Sequence, residues 1–150
     1  MGLDMYLTGK RYLSKYTGDE DKIKTISALF PELESREVQI ISCELIYWRK
    51  VNSIHNWFVE NLQKGEDECR EYYVSREKLK ELLDVVEKVL ETKSAEIAKE
   101  LLPTKSGFFF GDVTYNEYYW DDLEYTKRNL KSVLENEKLK YWDIYYKTSW

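Results

Sequence analysis

The sequence contains little cysteine and no long apolar run. Cys43 and Cys69 are its two cysteines, and their spacing matches neither a metal centre nor a redox motif. No signal peptide is recognisable, and no apolar stretch approaches the about 18 residues that a membrane helix needs. We therefore expect a cytoplasmic protein with reduced thiols, which does not enter a membrane.

Histidine and the usual catalytic motifs are equally scarce. His55 is the single histidine, so a histidine-rich metal site is excluded and we expect neither a metal nor a cofactor. The chain has no Gly-x-Ser-x-Gly elbow, and residues 104–107 lack the spacing of a phosphate-binding P-loop. The 28 acidic residues do not single out a carboxylate pair. The sequence therefore selects no catalytic residue and favours a protein that is not an enzyme.

Net charge and chain length limit the classes of protein that remain. The formal net charge is −5, which argues against general nucleic-acid binding and against docking on an anionic membrane. A chain of 150 residues suits one domain, which we expect to span residues 1–150. With 13 Tyr and 5 Trp, many rings must be partly exposed or must line grooves.

Residues 47–63 are the densest mixture of aromatic, basic and amide side chains, and their spacing predicts an amphipathic helix beginning between residues 42 and 47. On the helical wheel, His55 falls inside the apolar stripe. It is interpreted either as a packed, hydrogen-bonded histidine or as a pocket residue beside Trp48 and Asn52. Trp57 lies alone on the polar side, where it either packs under another element or forms an interface.

The rest of the chain alternates predicted strands and helices. Ser75 is a candidate N-cap, and residues 108–110, three Phe between glycines, predict a central buried strand. Those glycines could instead let a ligand approach the backbone.

Strands are predicted at residues 2–7, 38–41, 71–74, 108–110 and 141–150. Helices are predicted within residues 17–35 and at 47–63, 75–90, 94–102 and 116–136. This order predicts an α+β domain with a mainly antiparallel sheet of short strands and long amphipathic helices packed on one face.

Aromatic walls with a few polar groups are typical of a small-molecule pocket. The candidate binding residues are Trp48, Arg49, Asn52, His55, Asp4 and Tyr6. The candidate interface residues are Trp57, Tyr118 and Tyr125.

Several segments resemble, in the same order, a family of small bacteriophage and prophage proteins. They are residues 2–7 (GLDMYL), 47–59 (YWRKVNSIHNWFV), 71–75 (EYYVS), 101–111 (LLPTKSGFFFG) and 145–150 (YYKTSW). The resemblance implies origin rather than chemistry, and it places the protein in the cytoplasm of a host bacterial cell. It favours an accessory protein that binds a host protein or a small nucleotide-like ligand, or that counters a host defence. The alternative functions are a small enzyme using His55, Arg49 and Asn52 and a phage structural or assembly component. The sequence is also compatible with a homodimer.

Overall fold

The computed structural model describes residues 2–150. The strands are β1 (Asp4–Tyr12), β2 (Ile40–Arg49), β3 (Tyr72–Tyr73) and β4 (Asp143–Ser149). The α-helices are α1 (Glu20–Ala28), α2 (Asn52–Leu62), α3 (Arg76–Thr92), α4 (Ala95–Leu101) and α5 (Glu117–Glu135). Short 3-10 turns lie at Lys15–Thr17, Pro31–Leu33 and Glu137–Leu139.

The strands form one antiparallel sheet in the order β2-β1-β4-β3, which confirms the predicted α+β fold class. In β1, Met5 and Leu7 are fully buried, whereas Asp4 and Tyr6 on the other face are partly exposed. This alternation is the pattern that predicted a strand at the start of the chain. A register shift between Leu7 and Thr8 marks a bulge in the pairing with β2.

The core lies between the apolar face of the sheet and the helices. The ring of Phe58 in α2 stacks on that of Tyr146 in β4, with their centroids 3.9 Å apart. Leu82 in α3 and Leu130 in α5 are completely buried, and each such side chain stabilises the fold by roughly 2 kcal/mol. Within residues 2–150, no helix is both long enough and apolar enough to cross a membrane.

Side chains cap three of the helices at their N-termini. The side chain of Ser75 accepts a hydrogen bond from the backbone N–H of Lys78, as the sequence predicted. Ser94 caps α4 and Asn116 caps α5 in the same manner. Helix α2 differs, because Val51 stands at its N-cap and cannot accept a hydrogen bond through its side chain.

The predicted start of the central helix is wrong. Tyr47, Trp48 and Arg49 belong to β2, and the helix begins only at Asn52. Between the two elements, Lys50 has a φ of 59° and donates its N–H to the carbonyl of Leu3 at 2.7 Å. Aromatic residues favour strands, and the antiparallel pairing with β1 outweighs the helical periodicity of these residues.

The predicted central strand at residues 108–110 is also wrong. These residues form a turn in which the N–H of Phe110 donates to the carbonyl of Gly107 at 3.2 Å. Phe108 is 94% exposed, and only Phe110 is buried. Strand β1 is already paired on both sides by β2 and β4, so the three Phe have no central position to occupy.

Candidate functional site

A cleft of about 180 Å³ lies where the β2–α2 junction meets the loop before α5 and the first turns of that helix. The junction contributes residues 49–53, the loop contributes residues around Thr104 and Asp112, and α5 contributes Tyr118, Tyr119 and Asp122. The cleft therefore combines the β2–α2 junction with a second stretch that begins about fifty positions later in the chain.

The N-terminus of α2 forms one wall of the cleft. The first hydrogen bond within the helix runs from the N–H of His55 to the carbonyl of Val51. The N–H groups of Asn52, Ser53 and Ile54 therefore have no partner in the helix, and no other residue from 2 to 150 accepts from them. This wall presents hydrogen-bond donors at the positive end of a helix dipole.

Ser53 adds a hydroxyl to the same wall. The residue is only 3% exposed and lines the cleft. Its hydroxyl makes no hydrogen bond with any other side chain or backbone group in the described part of the chain. The Oγ atom is not fully enclosed, so solvent reaches the hydroxyl and it is available to a ligand.

Two cations stand at the mouth of the cleft. Arg49 and Lys50 are exposed and line it, and neither forms an ion pair with another residue between 2 and 150. The Lys50 side chain packs on Gly111, where an added Cβ would lie 3.1 Å from the Cβ of Lys50. Gly111 has a φ of 85°, so glycine suits both the backbone and the contact.

Asn52 holds the loop that forms the second wall. Its side-chain nitrogen donates to the carbonyls of Phe110 at 3.0 Å and Asp112 at 2.8 Å. Its side-chain oxygen accepts from the N–H of Lys105 at 3.0 Å. The amide is thus fully used in shaping the cleft, and its role there is structural.

The two carboxylates that line the cleft differ in their partners. Asp112 accepts from the hydroxyl and the N–H of Thr114 and from the side chain of Asn116, and these hydrogen bonds lower its pKa. The carboxylate of Asp122 has no hydrogen-bond donor among residues 2–150. Partial burial, reinforced by the neighbouring Asp121, raises the pKa of Asp122 to about 6.

His55 lies outside the cleft and is only 1% exposed. Its Nδ1 is 2.9 Å from the hydroxyl of Tyr146, and its Nε2 is 3.0 Å from a carboxylate oxygen of Asp67. The ring of Phe110 packs edge-on at 5.1 Å. Both ring nitrogens are therefore occupied, and the histidine ties the loop after α2 to the core.

The two tryptophans of the central segment are buried. The indole N–H of Trp48 donates to the hydroxyl of Thr126 at 2.9 Å, so Trp48 does not line the cleft. Trp57 is 8% exposed, which agrees with packing under another element and does not agree with an interface. Trp57 and the end of α4, with Leu101 and Pro103, line one small pocket.

The other predicted site residues lie elsewhere. Asp4 and Tyr6 are on the open face of the sheet, where Asp4 accepts a hydrogen bond from the hydroxyl of Tyr47. This bond is the main reason why the pKa of Tyr47 is raised. Tyr125 is half-buried and donates its hydroxyl to the carbonyl of Tyr47, whereas Tyr118 is 77% exposed at the cleft mouth.

The structure thus brings together three of the predicted residues, Arg49, Asn52 and Tyr118. No sequence pattern identifies Ser53 or Asp122, because their importance depends on which groups surround them in the fold. Asp112 carried a local signal, since an aspartate followed two residues later by threonine is typical of a turn before a helix.

Comparisons with known proteins identify no relative of this chain. No family model, no curated protein and no solved structure matches the chain. The ligand of the cleft therefore has to be inferred from its own donors, acceptors and charges.

Proposed function

We propose that this chain is a non-enzymatic accessory protein of bacteriophage origin that binds a small phosphorylated, nucleotide-like ligand in the cleft. One observation carries the proposal. The cavity is lined by Asn52 and Ser53, whose backbone N–H groups are unpaired among residues 2–150, and by the two cations Arg49 and Lys50.

A phosphate fits this arrangement better than a neutral group does. Its unprotonated oxygens accept hydrogen bonds, and the backbone N–H groups at the α2 N-terminus only donate them. The helix dipole and the two unpaired cations add favourable charge. A cavity of about 180 Å³ accommodates a phosphate with part of its carrier, and the exposed ring of Tyr118 offers a stacking surface at the mouth.

A binding role is favoured over catalysis because His55 is enclosed and both its nitrogens are engaged. The phage origin is supported by the motif resemblance. A phage protein that binds a host signalling nucleotide would lower the free concentration of that nucleotide, which is one way to counter a host defence.

The direct test is titration of the ¹⁵N-labelled protein with inorganic phosphate, followed by NMR. We expect the amide signals of residues 52–54 to shift and Arg49→Gln to weaken binding about tenfold, since one charge-assisted bond is lost. Lys147→Gln removes an exposed cation on β4, outside the cleft, and is the matched control. Phosphate that leaves residues 52–54 unshifted at millimolar concentration contradicts the proposal.

Val51→Thr gives a sharper test of the helix N-terminus. A threonine at the N-cap can accept from the unpaired N–H groups and so compete with phosphate for them. We expect a several-fold loss of phosphate affinity, whereas Val51→Ile, which adds no acceptor, retains the affinity. Equal affinities of the two variants would show that the α2 N–H groups do not contact the ligand.

A second candidate is the binding of a host protein, favoured by Phe108. A phenylalanine that is 94% exposed on a turn is unusual and could anchor a partner. Affinity purification from host lysate with the natural chain and with Phe108→Ser would detect it. A partner that both forms capture equally does not use this surface.

A further inference from the structure

The cleft also contains a carboxylate that no residue from 2 to 150 satisfies. Asp122 lines the cleft from α5 and is half-buried, and its carboxylate receives no hydrogen bond from residues 2–150. Asp112, the other carboxylate there, already accepts three hydrogen bonds from Thr114 and Asn116. Asp122 is therefore the lining carboxylate that remains for a ligand.

The cleft is thus polarised across its width. Unpaired donors at Ser53 and the α2 N-terminus line the same cleft as the unpaired carboxylate of Asp122 on α5. A carboxylate that is partly withdrawn from water and has no donor is costly. A ligand that satisfies both walls must accept hydrogen bonds at one end and donate them at the other.

We propose that the ligand of this cleft is a guanine nucleotide, with its phosphate at the α2 N-terminus and its base edge at Asp122. This inference rests on the proposed function. It deepens that proposal by naming the ligand class, which the phosphate wall alone does not specify.

The choice of guanine follows from hydrogen-bond geometry. The two oxygens of a carboxylate accept two parallel N–H donors, as they do from an arginine side chain. Guanine presents such a pair, its N1–H and an N–H of its exocyclic amine. On the corresponding edge, adenine, cytosine and uracil each pair a donor with an acceptor, which a carboxylate oxygen would repel. Tyr118 stands at the same mouth with its ring exposed for stacking.

The protonation state of Asp122 is compatible with this role. Because its pKa is about 6, the carboxyl is mostly ionised at pH 7.5 and can accept both bonds. Two donors from a ligand favour the ionised form, so binding near pH 6 is accompanied by proton release.

The test is calorimetric titration at pH 7.5 with GMP and with IMP, which lacks only the exocyclic amine. We expect GMP to bind about tenfold more tightly, because one hydrogen bond to a charged group distinguishes the two. In Asp122→Asn this preference falls below about threefold, while inorganic phosphate binds at least as tightly as before. Glu124→Gln, an exposed position on α5 outside the cleft, is the control and retains the preference.

The outcomes separate the two proposals. If phosphate binds but GMP and IMP have equal affinity, the guanine assignment is wrong and the phosphate site stands. A GMP preference that persists in Asp122→Asn overturns the role of Asp122. If neither phosphate nor either nucleotide binds, both proposals fail. The comparison of GMP with IMP on the natural chain decides the assignment even if the variant does not fold.

Discussion

Asn52 offers a quantitative test of how the cleft is built. Its side chain is buried and makes three hydrogen bonds to the loop, two as donor and one as acceptor. Replacement by alanine removes all three and leaves their backbone partners without a bond. At about 1 kcal/mol for each hydrogen bond, we expect Asn52→Ala to lower the free energy of unfolding by about 3 kcal/mol.

Asn52→Asp separates the hydrogen bonds from the loss of volume. The aspartate keeps the acceptor for the N–H of Lys105 but places an oxygen where the nitrogen stood, 3.0 Å and 2.8 Å from two carbonyl oxygens. At pH 7 its destabilisation should equal or exceed that of the alanine variant, although aspartate is nearly isosteric with asparagine. At low pH the protonated carboxyl can donate one bond, so the penalty should shrink.

The assay is urea unfolding followed by circular dichroism and fluorescence. Asn61→Ala is the control, because Asn61 is exposed on the same helix and donates a single bond to the carbonyl of Trp57. We expect it to cost less than about 1 kcal/mol. An Asn52→Ala variant within 1 kcal/mol of the natural chain, or an Asn52→Asp variant as stable as the natural chain at pH 7, would refute the reasoning.

Three further substitutions test other parts of the structure. Thr126→Val leaves the buried indole N–H of Trp48 without an acceptor, and urea unfolding should show a loss of about 2 kcal/mol. Gly107→Ala would place a Cβ 2.6 Å from the ring of Phe110, so we expect a loss of 1–3 kcal/mol and a shift of the Phe110 ring signals in NMR spectra. The pKa of Asp122 is raised in the folded state, so the fold binds more protons than the unfolded chain between about pH 4 and 6 and loses stability as the pH rises through that window. Asp122→Asn removes this cost, and after allowance for solvent screening we expect a gain of about 1 kcal/mol at pH 7.5 and none at pH 4.

The helices of the second half were predictable because their signals are local. Leu79, Leu82 and Val86 repeat at helical spacing and are fully buried, and Ser75 caps the helix that contains them. The same holds for α5, which begins after its N-cap Asn116. Amphipathic period and cap residue agree in both elements, so no distant contact was needed to identify them.

The segment from residue 47 carried two periodicities at once. Ile46 and Trp48 alternate with Tyr47 as in a strand, yet Tyr47 and Trp48 also fit the apolar stripe of a helix, which Ile46 does not. Pairing with β1 selects the strand over the helix. Met5 and Leu7 of β1 pair with Trp48 and Ile46, which lie more than thirty-five residues later in the chain. A helical wheel contains no information about that pairing.

The site was only partly predictable for a related reason. Arg49 and Asn52 stood out by their chemistry, whereas Ser53 and Asp122 are ordinary polar residues on the surfaces of predicted helices. What makes them available for a ligand is the lack of a partner, and this is a property of the folded chain. Residue type alone cannot reveal it.

The wrongly predicted helix start and the candidate site have the same physical origin. Had the helix begun at residue 47, the N–H groups of Asn52, Ser53 and Ile54 would bond to carbonyls one turn earlier. Instead the strand continues to Arg49 and the chain turns at Lys50, whose positive φ allows the helix to start two residues later. Because a valine then occupies the N-cap, the three N–H groups stay unpaired at the helix end, beside the loop held by Asn52. Strand pairing at one end of the sheet thereby creates the donor wall on which phosphate binding is proposed to depend.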